Sequence, residues 1–358
     1  MTRERLDEIL SGFGTARVAV LGDFFLDKYL EIDPALTETS LETGLEARQV
    51  VAVRCQPGGA GNVAANLRAL GVGEAICVGF IGNDGDGFEL TRALRAIGAD
   101  THHLIARLDR RTPTYCKPIL RLPDDRVQEL ERLDTKNRTP VPPALESELL
   151  AAIRALAPEV TAVVVQDQVQ ESECGVVTNR VREALAELVR SYPSLLALVD
   201  SRTRVGLFRG LLAKCNDQEA CAAVHPDTPQ HRGPEAIPCA AALSARLGAP
   251  VFLTMGSAGM TVVTPERAQR VPTIRVEGPL DIVGAGDSAA SGIISALCAG
   301  AALDEAAIIG NIVASITIQQ LGTTGAASQH QLRQRFIEHE HVGRNLPQPE
   351  ELPPSDRE

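Results

Sequence analysis

The chain is 358 residues long and 44% hydrophobic, enough to bury one large core or two modest ones. A formal net charge of -11 at pH 7 and only 3% aromatic residues argue against wrapping nucleic acid, stacking single-stranded bases or lying on an anionic membrane. No run approaches ~18 uninterrupted apolar residues, MTRERLDEIL lacks a signal-like apolar core, and no C-x-x-C pair occurs; the expectation is a cytoplasmic protein with reduced thiols and no zinc site.

Arg17 to Leu21 is the first apolar run that reads as a buried strand. Gly22-Asp23-Phe24-Phe25-Leu26-Asp27 follows at its C-terminal end, where open α/β sheets bind ligands. A carboxylate there can grip a sugar by accepting two hydroxyl protons. Asp27 is the stronger candidate, while Asp23 reads equally well as a turn residue or a ligand. Residues 29–54 show no helical period but carry β-favouring pieces such as Gln49 to Val53. Pro57-Gly58-Gly59-Ala60-Gly61-Asn62 then opens a helix running to Leu70. Its Gly-Ala-Gly leaves a dinucleotide fingerprint open, although the first strand ends too far upstream for one. A better reading is a glycine-lined floor that admits a polyol, with Asn62 free to bond hydroxyls.

Ala75 to Phe80 reads as the next strand and Gly87 to Ile97 as the next helix. Residues 113–133 form a second stretch without helical period, including the β-favouring Ile119 to Arg121. With 29–54 it predicts a small sheet standing over the strand ends as a water-excluding lid; the alternative is two surface loops. Strands at Ala162 to Gln166, Leu195 to Val199 and Val251 to Thr254 alternate with helices at Ala144 to Leu156, Asn179 to Tyr192 and Pro234 to Leu247. That alternation predicts a mainly parallel sheet covered by helices on both faces.

Asn216 and Glu219 stand three apart at a helix start, where they can hold Mg²⁺-bound water beside phosphates or make a capping arrangement. Thr254-Met255-Gly256-Ser257-Ala258-Gly259 is a strand followed by a glycine turn, suited to a nucleotide or to a tight turn alone. Gly284-Ala285-Gly286-Asp287 opens an apolar helix, so backbone N–H groups meet at the positive end of its dipole. Asp287 beside such an anion site suits a base that takes a hydroxyl proton; the alternative is a cap on a buried helix. Leu303 to Gln320 predicts a second buried helix, and the polar, proline-rich tail over 341–358 is expected to be disordered.

In this order the segments resemble the ribokinase-like, or PfkB, carbohydrate kinases over nearly all of the chain from Ala16 to Ala327. Asp281 to Ser288 (DIVGAGDS) is similar to the family's D-T-x-G-A-G-D signature, and Pro57 to Asn62 to its glycine-rich N-terminal signature. Asn216 to Glu219 is similar to its N-x-x-E, and Thr254 to Gly259 to its T-x-G-x-x-G. The resemblance implies a ribokinase-like three-layer α/β fold with a mainly parallel central sheet and a small β lid. It also implies one kinase domain over 1–340 and ATP-dependent phosphorylation of a sugar or sugar phosphate. Asp287 is then the base, and Gly284, Ala285 and Gly286 form the anion hole. Asn216 and Glu219 organise Mg²⁺ and phosphates, while Thr254, Gly256 and Gly259 line the ATP site. Asp27, Gly58, Gly59 and Asn62 hold the sugar. Asp281 and the backbone near Val283 match positions that take a monovalent cation, commonly potassium, in some relatives.

Within the family, VAVLGDFFLDKYL, PGGAGNVAANLRALG and QQLGTTG resemble the heptose 7-phosphate kinase domain of bacterial ADP-heptose synthesis. Lys117 is then a partner for a substrate phosphate, and Asp167 lies near the sugar. An acidic insert, IDPALTETSLETG, replaces the usual proline-rich stretch, and the residues after Asp167 lack the lysine and tyrosine expected there. A substrate other than heptose 7-phosphate therefore stays open. So do a catalytically silent sugar- or nucleotide-binding relative and a nucleoside kinase. Lids of this kind often pair between subunits in the family, which makes a homodimer an expectation.

Overall fold

The computed structural model describes residues 1–122, 126–226, 231–339 and 346–352. After helix α1 (Arg3–Gly12), strand β1 (Arg17–Gly22) leads through Asp23 into two long strands, β2 (Phe24–Thr39) and β3 (Glu46–Gly59). Next come α2 (Ala60–Ala69), β4 (Glu74–Gly82), α3 (Gly85–Ala96), β5 (Leu104–Arg107) and β6 (Thr114–Arg121). Short β7 (Val127–Glu129) and β8 (Leu133–Thr135) precede α4 (Pro143–Leu156), β9 (Ala162–Asp167), α5 (Asn179–Ser191) and β10 (Leu196–Ser201). Then follow β11 (Leu212–Asn216), α6 (Asp217–Val224), α7 (Ile237–Leu247), β12 (Val251–Thr254), β13 (Met260–Val263) and β14 (Arg267–Val271). Helices α8 (Ala285–Cys298), α9 (Leu303–Thr317) and α10 (Gln329–Glu338) and strand β15 (Glu350–Glu351) complete the order. Local sequence sets several boundaries: Asp84 caps α3 by accepting Gly87 N–H at 2.8 Å, and Thr178 caps α5 by accepting Val181 N–H at 3.3 Å.

The central sheet runs β15-β14-β13-β12-β11-β10-β9-β1-β4-β5, parallel from β12 to β5 and antiparallel at the other edge. Side chains alternate along each strand, so Val18 and Val20 enter one apolar cluster while Ala19 and Leu21 enter another. Leu67 of α2, Ile293 of α8 and Ile309 of α9 close the first cluster; Leu149 of α4, Leu185 of α5 and Leu243 of α7 close the second. Burying each such side chain is worth about 1.5–3 kcal/mol, which makes these two faces the main stabilising layers. The result is the three-layer arrangement expected from the alternation.

The second sheet, ordered β3-β2-β6-β7 with β8 also on β6, is the lid. Its β2–β3 ladder extends from Phe24 opposite Gly59 out to Thr39 opposite Glu46. The lid strands therefore emerge directly from β1 and run directly into α2.

Some expectations change. Helix α9 stops at Thr317 rather than Gln320, because the Gln320 side chain instead bonds both backbone groups of Ala326 and turns the chain. The C-terminal segment is not wholly without order: Glu350 and Glu351 pair with Ala268 and Arg267 on the open edge of β14, and Gln269 holds Pro347 O at 2.9 Å. The rest of that expectation falls outside the described residues. Cys221 and Cys239 form a disulfide joining α6 to α7, so the expectation of uniformly reduced thiols fails for that pair. Among the described residues, no helix is long and apolar enough to cross a membrane.

Candidate active site

The chemistry-bearing residues gather at the C-terminal edge of the parallel strands. Register places Gly22 beside Gln166, Gln166 beside Asp200, Asp200 beside Lys214, and Asn216 beside Thr254. Above this row lies a cleft of ≈ 550 Å³, including its open mouth. The lid contributes Phe25, Asp27, Tyr115, Lys117 and Arg132 to it, and the body contributes Gly59, Gln168, Arg202, Gly284 and Asp287.

Asp287 sits in the first turn of α8, part-exposed at the cleft floor. Its Oδ2 accepts a hydrogen bond from Asn62 Nδ2 at 2.9 Å. Burial, reinforced by the charge of Asp200, pushes the Asp287 carboxyl up to about 6, while Asn62 and Lys214 pull the other way. A carboxylate so placed is ionised near neutrality yet basic enough to accept a proton. Gly284 precedes the helix at φ 78°, and a Cβ there would stand 2.6 Å from Asn62 Nδ2. Gly286 lies so close to the buried Lys214 that a Cβ would meet Nζ at 2.7 Å. Lys214 Nζ in turn bonds Asp200 Oδ2 at 2.7 Å, and despite burial Asp200 keeps its pKa above the ordinary lysine range. A fixed cation thus lies behind the helix N-terminus. Of the three residues expected to form an anion hole, Ala285 has its N–H taken by Ile282 O at 3.2 Å. Gly284, Gly286 and Asp287 N–H groups have no acceptor among the described residues.

On the lid, Lys117 Nζ lies 3.4 Å from Asp27 Oδ1 and 3.3 Å from Tyr29 Oη. Burial raises the Asp27 pKa, against the pull of Lys117; burial also opposes the Lys117 charge, but Asp27 holds that lysine protonated. Gly58 lies opposite Phe25 in the β2–β3 ladder, and Gly59 lines the cleft at the start of α2. Arg132 stacks over the Tyr115 ring at 4.0 Å and is bound by Asp134 at 2.6 Å. Two contacts tie the lid to the loop after α9: Arg54 Nη2 donates to Gly322 O at 3.0 Å, and Thr323 Oγ1 donates to Gln56 Oε1 at 3.2 Å.

Several expected ligands are placed otherwise. Asn62, expected to be free to bond hydroxyls, is 1% exposed, donating to Asp287 and accepting from Asn66, so both ends of its amide already have partners. Asp167 is buried against Arg204 (3.1 Å from Nε) and the Ser201 hydroxyl (2.6 Å), and it does not line the cleft; its neighbour Gln168 does. Asp23 accepts from the backbone N–H groups of Gln168, Val169 and Val176 at 2.9, 2.9 and 2.7 Å, which pins that loop and leaves no ligand role. Burial and then Asp167 raise its pKa to about 6.

Asn216 and Glu219 form a reciprocal capping box on α6, each side chain accepting the other's backbone N–H at 2.8 Å. Glu219 Oε2 is thereby used, while Oε1 has no bond among the described residues. Thr254 Oγ1 donates to Cys215 O at 3.2 Å, and Gly256 and Gly259 shape the turn between β12 and β13. Thr254 stands next to Asn216, and none of the three lines the cleft. Asp281 accepts the N–H groups of Val283 at 3.0 Å and Gly322 at 3.2 Å, bridging two loops. Among the described residues, no three His, Cys, Asp or Glu side chains cluster closely enough to hold a metal alone.

Sequence reasoning missed Arg202, Arg132, Tyr115, Asp200 and Lys214 as site residues. A signal existed for the last two: each is a lone charge in an otherwise apolar strand run, LALVD and LLAKC.

A family model described as "pfkB family carbohydrate kinase" matches residues 25–330. The bifunctional protein HldE of Shewanella amazonensis is 31% identical over 319 residues, covering 88% of this chain. The chain spans 62% of that protein and 65% of another HldE, from Citrifermentans bemidjiense, about two thirds of their length. Among solved structures, phosphofructokinase-2 from Escherichia coli superposes with a TM-score of 0.65 at 18% identity, covering 90% of this chain and 99% of that one. Ribokinase from Arabidopsis thaliana, solved with ribose and ATP, gives 0.63 at 16% identity, covering 89% and 98%. At such identities the structural likeness speaks to fold.

Proposed function

The chain belongs to the pfkB family of carbohydrate kinases, and on that premise we propose that it transfers the γ-phosphoryl group of ATP to a hydroxyl of a sugar or sugar phosphate. Heptose 7-phosphate is the first candidate, because of the stretches that resemble heptose 7-phosphate kinases and the lid cations Lys117 and Arg132 around the cleft. The observation that carries the reading is a carboxylate with its pKa near 6 beside unspent amides at a helix N-terminus.

In this mechanism the acceptor hydroxyl lies between Asp27 and Asp287. Asp287 takes its proton as the oxygen attacks the γ-phosphorus in line, and the N–H groups of Gly284, Gly286 and Asp287 receive the phosphoryl oxygens. The dipole of α8 and the buried Lys214 favour negative charge at the same spot. Glu219 fits a role at the phosphates, since its Oε1 has no bond among the described residues and can face a cation's bound water. Mg²⁺ bound there would neutralise the polyphosphate. Asp281, strung between two loops, is the proposed residue for potassium, which would show as a rise in rate with added K⁺.

The test is ADP release over a panel of heptose, sedoheptulose and fructose phosphates, free sugars and nucleosides, with and without potassium. Asp287→Asn is expected to keep ATP binding while turnover falls about 100-fold or more. Full activity in that variant, or no ADP release with any acceptor, would overturn the reading. Preference for adenosine, inosine or cytidine would move it to a nucleoside kinase.

A further inference from the structure

The cleft holds three cations, and they differ in what already neutralises them. Lys117 is paired with Asp27, and Arg132 with Asp134. Arg202, the residue just beyond β10, has no carboxylate partner among the described residues. Its Nε donates to the neutral Gln168 Oε1 at 2.8 Å, which fixes the direction of the guanidinium without cancelling its charge. A solvent-exposed arginine is ordinarily unremarkable, but this one lines the same cleft as Asp287 and Gly284. Its field is felt by Asp287, by Glu219 on the phosphate side and by Tyr115 on the lid side, each favoured in its ionised form by the arginine. Arg202 thus shares one cleft with Asp287 and Gly284 of the body and with Tyr115 and Lys117 of the lid.

We propose that Arg202 is a further catalytic residue, donating its free N–H groups to the γ-phosphoryl group as it passes between the two substrates. The inference rests on the kinase reading above. In the step, the acceptor oxygen forms its bond to phosphorus as its proton goes to Asp287. The bond from phosphorus to the β,γ-bridging oxygen breaks, and its electron pair stays with ADP. Arg202 exchanges no proton in the step and acts only through its charge and its N–H donors. Charge spread over the equatorial oxygens in this loose transition state is what a forked donor stabilises. The amides at the start of α8 approach the group from one side, and Arg202, aimed by Gln168, supplies a positive charge from another.

Arg202→Gln and Arg202→Lys are the variants to measure, with the wild-type enzyme's best phosphorylated and unphosphorylated acceptors. Arg202→Gln is expected to lower kcat about 100-fold or more with every acceptor, with both KM values within about threefold. Arg202→Lys recovers part of the loss, since a point charge replaces the fork. A second measurement needs no acceptor: calorimetric binding of Mg·ADP alone and with aluminium fluoride, which mimics the transferring group. The expectation is about a 100-fold loss of affinity for the fluoride complex in Arg202→Gln and an unchanged affinity for ADP. Unchanged kcat and unchanged fluoride affinity would overturn the proposal. So would a loss confined to the KM of phosphorylated acceptors, which would make Arg202 a ligand for the acceptor's own phosphate. Failure of the kinase reading is distinguishable, because then the wild-type protein itself would phosphorylate no acceptor, whether or not it bound ADP.

Discussion

Asp287 is tuned by neighbours that act in opposite directions. Burial and Asp200 raise its proton affinity, whereas the Asn62 amide and Lys214 lower it. Because the base must be ionised, log kcat/KM should climb with unit slope as pH rises towards about 6 and level off above it. Asn62→Ala removes a stabiliser of the ionised form, so the midpoint of that profile should move to higher pH; an unmoved midpoint would show that Asn62 does not set the base. Asp287 and Asp27 were legible in the sequence because each follows a strand or turn of recognisable kind. The bond from Asn62 to Asp287 was not legible: the Gly-Gly-Ala-Gly-Asn run shows a helix start but not which long-range neighbour its amide meets. Asp167 was misread for a similar reason, since nothing local says that Arg204 and Ser201 will consume it. Arg202 left no local trace, because its importance comes from what fails to pair with it.

At the scale of elements, the start of α8 is the most constrained backbone in the site. Gly284→Ala would force a side chain into the left-handed region and against Asn62 and the Thr324 carbonyl. A loss of about 1–3 kcal/mol in denaturant stability is expected, together with loss of phosphoryl transfer; wild-type behaviour would show that the turn relaxes. The strand–helix alternation was readable because its apolar runs are short, punctuated and capped, as at Asp84 and Thr178. The glycine turn after β12 and the Asn216–Glu219 pair were readable as local structure, and the capping box confirms that half of their reading. The return of Glu350 and Glu351 to β14 was not readable, because two residues pairing across more than 80 positions leave no periodic signal.

At the scale of the whole molecule, the lid is the part whose surface is least like that of a closed globule. Leu45, Val51 and Val53 on β3 or just before it are 70%, 51% and 56% exposed, and Val127 and Leu133 are exposed on β7 and β8, which lie across β2 and β6 from that strand. Such an apolar concentration supports the reading that two copies pair through their lids. Light scattering should then give twice the mass of the 38.1 kDa chain, falling to one chain in a Val51→Glu, Val53→Glu double variant that still folds; a wild-type monomer at micromolar concentration would end that reading. The existence of the lid was legible from two long stretches without helical period, but its outer face was not, because exposure depends on which strand lies next to which.

The lid is continuous with the machinery beneath it. Strand β3 passes without a linker into α2, which carries Asn62, and Arg54 and Gln56 on the same strand grip the loop bearing Thr324 at the cleft wall. Any swing of that sheet must drag on the amide that steadies the base. On the proposed kinase reading, nucleotide held in an open, unmatched site would face a poorly aimed carboxylate, and the direct join of β3 to α2 would restrain futile hydrolysis.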